Sequence, residues 1–272
     1  MTPTPAPRTA DATHGAGGHA AALVAGSRPS ARGLQRNPIW RVVRLHAVNP
    51  SVFFGVPWII LGGAWAVSMI IGLIGLGATG STEDMVGMRY SWAVLSPQWY
   101  LVVVGVQAIG LTFPFALGFG STRRDFWLGT ALMFVLVSAE MAVATATLVQ
   151  IEKATHGWGI GMHMFDALWY GQNGWLFDFY STFAVQLLVL FIGAFATTVY
   201  MRWRIPGMMV LTFVAIAIVL ALVAIATFTR SWGAVYAWLA GIGLVGLFSV
   251  LLGLAAVCAV GGYLVIHRAT PR

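Results

Sequence analysis

Residues 128–149 read LGTALMFVLVSAEMAVATATLV, an apolar run interrupted by one charge, Glu140. Its length matches the ~20 residues an α-helix needs to cross a hydrocarbon core about 30 Å thick. Five further apolar segments flank it, at 52–74, 99–117, 181–200, 208–228 and 238–262, and the charged residues gather in short clusters between them. Over the 272 residues, 59% are hydrophobic and 8% charged, against about 45–50% and about 25% in soluble domains. A water-soluble fold is excluded. The sequence predicts an all-α polytopic membrane protein with six transmembrane helices.

Outward from these spans the chain changes character. Residues 1–36 carry Pro3, Pro5, Pro7 and scattered arginines with no periodic apolar face, which predicts a disordered tail. The apolar run at 20–25 is shorter than the ~7–15 residues of a signal-peptide core, so no cleavage is expected. At ~100° per residue, Ile39, Val42 and Val43 share one side of 38–46 while Arg41 and Arg44 share the other. That pattern predicts an N-terminal interfacial helix on the membrane surface. The expected organisation is a cytoplasmic tail at 1–36, a six-helix domain at 37–268 and a short cytoplasmic tail at 269–272.

Orientation follows from the basic residues. Six spans put Arg8, Arg28, Arg32, Arg36, Arg41, Arg44, Arg123, Arg124, Arg202, Arg204, Arg268 and Arg272 on one side; Arg89, Lys153 and Arg230 fall on the other. The richer side is expected to be cytoplasmic, with both termini. A basic balance of +7 could signal nucleic acid, but these residues flank apolar spans and form no stripe with stacking aromatics. Arginine dominance over the single lysine, with abundant alanine and glycine, fits a bacterial plasma membrane.

Glu140 is the only acidic residue within a predicted span. A charge there costs roughly 2.5–3.5 kcal/mol on insertion scales, so it needs a partner, water or a proton. Two readings follow: a proton or substrate contact in a pathway, or a hydrogen-bonded glutamate that holds helices together. Gly241, Gly243 and Gly246 spell GxGxxG, but no strand precedes them, and close helix packing explains them better than a dinucleotide site. Gly72, Gly75 and Gly77 suit packing at a helix end. His156, Met162, His163, Met164 and Asp166 offer an incomplete copper ligand set. They read instead as part of an outer loop, 150–180, whose many aromatics are expected to enter the headgroup layer. Cys258 is the only cysteine, and Lys153, the only lysine, lies outside any GxxxxGK[ST] pattern, so the chain supplies no P-loop of its own. No catalytic constellation, metal set or cofactor motif stands out, and an enzyme is not expected.

The connection after the second span reads Gly118-Phe119-Gly120-Ser121-Thr122-Arg123-Arg124-Asp125-Phe126. Thr122 and Asp125 form a capping-box-like pair that should start the third helix. Arg123 and Arg124 then oppose the helix dipole by a few tenths of a kcal/mol each. Cytoplasmic topology, anionic headgroups or a docking partner could favour them there.

The segment from Pro114 through Asp125 and Phe126 resembles the loop after the second span in bacterial permeases of the ABC type-two exporter class. Pro114, Gly118, Gly120, Arg123 and Arg124 carry the resemblance, and Gly157-Trp158-Gly159-Ile160-Gly161 resembles small permease-like proteins of that class. It implies that Ser121, Thr122, Arg123, Arg124 and Asp125 contact a separate ATP-binding subunit. It further implies that a second permease subunit, identical or not, completes the path through the lipid bilayer. The connection at 229–237 is shorter than the outer structure many members carry there. Two alternatives stand beside this membrane-subunit reading: a non-transporting scaffold or assembly protein, and a proton-coupled transporter using Glu140.

Overall fold

A computed structural model describes residues 37–80 and 83–267. The tails expected at 1–36 and 269–272, and Arg268, lie outside the described residues. Among the described residues seven α-helices follow one another: α1 (Pro38–His46), α2 (Val56–Thr79, entered through a π turn at Ser51–Gly55), α3 (Ser96–Gly110), α4 (Thr112–Gly118), α5 (Arg123–Ala154), α6 (Trp175–Phe228) and α7 (Trp232–His267). Among the described residues, five stretches are long and apolar enough to cross a membrane: Ser51–Thr79, Gly87–Gly118, Arg123–Ala154, Trp175–Phe228 and Trp232–His267. The protein is an all-helical, membrane-embedded chain.

The centre of the bundle is α6, which packs against α3, α5 and α7. Its crossing with α3 is set by two glycines. A Cβ on Gly105 would collide with the Leu190 backbone, and one on Gly193 with the Val102 carbonyl. Lipid provides no hydrophobic drive between helices, so backbones that approach this closely gain their stability from dispersion. Around the crossing, Leu101, Val104, Ile109, Phe134, Val137 and Leu190 are all fully buried. Helix α1 rests across α5 in the same way, with Val42 over Gly129. Val42 and Val43 are buried while Arg41 and Arg44 are exposed, but the apolar side is covered by α5 and not turned to the membrane surface as the two-sided pattern predicts.

The 54-residue α6 would be ~81 Å long if straight at ~1.5 Å per residue, more than twice the hydrocarbon thickness. It is not straight. Arg204 departs from helical geometry (φ 56°, ψ −144°) two residues before Pro206. Proline removes an N–H, clashes with the carbonyl four residues back and disfavours α geometry in the residue before it, which accounts for a break at this point.

The sixth apolar segment needs correcting. Its helix begins at Trp232, earlier than 238, and breaks at Gly243 (φ 60°, ψ −174°). Gly241 and Gly243 face open space, so these glycines do not serve close packing, and the one at 243 forms a bend. The Tyr180 hydroxyl lies 2.8 Å from Ser249 Oγ, and Gly261 packs on the Phe195 ring. Residues 244–267 therefore run parallel to residues 175–203. Residues 205–228 instead diverge from the bundle, and every residue from Thr212 to Val223 is exposed. Gly72 packs on Ile160 and Met162 as expected of a packing glycine, whereas Gly77 has open space around it.

Candidate functional site

The loop between α4 and α5 is built from two local caps. At the end of α4, the Ser121 N–H donates to the Ala116 carbonyl and the Gly120 N–H to the Leu117 carbonyl. This is a Schellman arrangement with Gly120 at φ +75°, a left-handed conformation that glycine adopts without a Cβ penalty. Thr122 then caps α5: its Oγ1 accepts from the Asp125 N–H at 3.1 Å and donates to Asp125 Oδ2 at 2.7 Å. The capping pair starts this helix where the sequence predicts, although the helix runs from Arg123 to Ala154, beyond the predicted span at 128–149.

Two longer bonds tie this elbow to its surroundings. Arg41 Nη2 of α1 donates to the Phe119 carbonyl at 3.2 Å. Arg123 Nη1 donates to the His267 carbonyl, in the last turn of α7, at 2.8 Å. The five docking candidates thus divide. Thr122 and Asp125 satisfy each other, and Arg123 holds the end of α7. Arg124 is exposed, and Ser121 borders a cavity of about 250 Å³ shared with Arg41, Arg44 and Phe119. Phe115 and Phe119 are 64% and 67% exposed, so the elbow presents aromatic surface beside arginine.

Behind the elbow, His46 is buried with Nε2 2.9 Å from Thr130 Oγ1. Thr130 already donates to the Phe126 carbonyl, so the imidazole must carry its proton on Nε2 and leave Nδ1 as a bare acceptor. Nδ1 is inaccessible and unpaired. Burial lowers the His46 pKa to about 4.

Glu140 has the cross-helix partner its position demanded. Trp58 Nε1 on α2 donates to Glu140 Oε1 at 2.8 Å, while Oε2 is inaccessible and without a partner. The surrounding face is outward-looking rather than a lined cavity, with Leu136, Val143 and Thr147 exposed on α5.

A carboxylate with a different role escaped sequence reasoning. Glu152, only 1% exposed, accepts from the backbone N–H groups of Met164 (3.0 Å), Phe165 (3.1 Å) and Asp166 (2.8 Å) and from Trp158 Nε1 (2.9 Å). It clamps the 155–174 connection onto the end of α5, and Arg89–Asp166 (3.4 Å) braces it from outside. Met162 and Met164 are fully buried in a core with Leu61, Met141 and Val149. No group of three or more metal-ligating His, Cys, Asp or Glu residues occurs among the described residues. Nor do the loop aromatics all turn outward. Tyr170 is buried, with its hydroxyl pKa pushed up to about 12 by that burial, and Phe165 lies in the same core. The expected loop at 150–180 is shorter than predicted, because α5 runs to Ala154 and α6 begins at Trp175. No family model, curated protein or solved structure matches the chain.

Proposed function

We propose that this chain is the membrane-spanning permease subunit of an ATP-driven exporter of the ABC type-two class, energised by a separate ATP-binding subunit. The observation that carries the reading is the wiring of the elbow. A short exposed loop, capped at both ends, is bonded to α1 through Arg41 and to the end of α7 through Arg123. A partner that pushes on Arg124 and Phe119 therefore moves α1, α5 and α7 together, which is what coupling of hydrolysis to a change in helix packing requires.

In this reading the chain crosses a bacterial plasma membrane six times with both termini cytoplasmic, because the break at Arg204 divides α6 into two spans. A second permease subunit, identical or related, completes the transport path. Affinity purification from native membranes tests the proposal: recovery of a nucleotide-binding subunit supports it, and recovery of the chain without one opposes it.

A second reading, proton-coupled transport, is favoured by one observation, the bare and buried Oε2 of Glu140. Uptake or efflux in vesicles driven by a pH gradient without ATP, and abolished in Glu140→Gln, would support it over the first.

A further inference from the structure

Two recesses adjoin between α1 and the α3–α4 segment. The first, of about 250 Å³, is lined by Arg41, Arg44, Leu45 and Val48 from the α1 side and by Phe119 and Ser121 of the elbow. Leu45 and Val48 also wall the second, of about 280 Å³, which continues against Val52, Phe53 and Leu111 and includes the amides of Asn49 and Gln107. One groove thus has a cationic end and a mainly apolar end. The apolar end reaches residues 107–112, inside the stretch Gly87–Gly118 that is long and apolar enough to cross a membrane. From Gln107 to Phe119 the groove follows the chain for at most ~18 Å at ~1.5 Å per residue, comparable with the ~15 Å of half a hydrocarbon core.

The charge at the elbow end is uncompensated. Arg44 is exposed and makes no hydrogen bond or ion pair among the described residues. Arg41 gives one Nη2 bond to the Phe119 carbonyl, a neutral acceptor, and no described carboxylate pairs with it. The acid of the elbow, Asp125, is bonded to Thr122 instead. A free phosphate would satisfy the arginines but leave the apolar recess bare, with Val48 and Leu111 78% and 62% exposed. An uncharged alkane would leave two cations without a counter-charge, and an acidic segment of a soluble protein would not reach residues 107–112 inside the bilayer. We infer that the groove binds one anionic phospholipid, its phosphate group at Arg41 and Arg44 and an acyl chain along Val48, Val52 and Leu111. The bound lipid joins α1 to the elbow beside the Arg41–Phe119 bond. This site does not rest on the exporter reading.

The test uses the full-length chain, delipidated in mild detergent and titrated by native mass spectrometry with phosphatidylglycerol or with phosphatidylcholine of the same acyl chains. The expected result is a preference for phosphatidylglycerol of about tenfold or more, roughly fivefold from each cation. Arg44→Ala should cut the preference about fivefold, whereas Arg44→Lys should keep it. Arg124→Ala, which removes a cation of the elbow outside the groove, should leave it intact. Val48→Trp, which obstructs the wall common to both recesses, should weaken both lipids. Inorganic phosphate in large excess should not displace phosphatidylglycerol. Circular dichroism matching the native chain confirms that each variant is folded. Equal binding of the two lipids by the native chain overturns the inference, as does undiminished preference in folded Arg44→Ala. A loss in Arg124→Ala equal to that in Arg44→Ala would mean diffuse charge attraction, and displacement by inorganic phosphate would mean a free-anion site. Either overturns it, as does unchanged lipid binding in Val48→Trp.

Discussion

Trp58 and Glu140, 82 residues apart, are joined by a 2.8 Å hydrogen bond from the indole N–H to the carboxyl group. The bond links α2 to the middle of α5. Trp58→Phe removes the donor and leaves the carboxyl oxygen unpaired, which should cost ~1–3 kcal/mol. Glu140→Gln keeps an acceptor for the indole and should cost less. Thermal denaturation in detergent of both variants and of the double variant measures the coupling, and additive effects would mean that the pair is incidental.

The carboxylate of Glu152 organises a whole connection through backbone donors. Glu152→Ala removes both oxygens, Oε1 that accepts from Met164, Phe165 and Asp166 and Oε2 that accepts from Trp158 Nε1. Hydrogen exchange at the Met164, Phe165 and Asp166 amides should rise by at least an order of magnitude, about 1.4 kcal/mol or more. Unchanged protection would show that the loop is held by its apolar core alone.

Burial of His46 makes stability depend on pH with a definite sign. Its folded pKa, about 4, lies below the ordinary ~6.5, so the unfolded state takes up a proton first. Stability from this group is fully present above pH ~6.5, falls as pH drops towards 4 and then levels off, a loss of about 3 kcal/mol. His46→Phe should flatten the pH profile of the melting temperature in that window. A profile as steep as that of the native chain would assign the dependence elsewhere.

Six spans and five predict opposite sides for the turn after α6. With Cys258 replaced by alanine, Arg230→Cys should react with an impermeant thiol reagent from outside and Arg202→Cys only from inside. Labelling of both from one side would contradict a division of α6 at Arg204.

What the sequence made legible was what is local. The capping pair Thr122 and Asp125, the two-sided α1 and the apolar runs each depend on residues within a few positions of one another. The apolar runs at 181–200 and 208–228 read as two segments because Arg202 and Arg204 lie between them, and the break in α6 falls at Arg204. The partners of Glu140 and Glu152 were not legible, because a tryptophan on another helix and backbone N–H groups 12–14 residues downstream leave no spacing rule behind. The same limit applies to Arg123. Its residue type is visible, but its bond to the His267 carbonyl arises only when α7 returns to the elbow.

That bond also decides how the central claim is best tested. Replacing Arg123 would disturb the end of α7, whereas Arg124 is exposed and makes no hydrogen bond or ion pair among the described residues. Charged contacts at a desolvated interface are worth ~2–5 kcal/mol when truncated. The direct measurement is therefore recovery of the ATP-binding subunit with tagged Arg124→Ala from membranes, normalised to the tagged chain, with cysteine labelling to verify orientation. The account predicts that recovery falls at least tenfold with orientation unchanged; full recovery with the same orientation would contradict docking at the elbow.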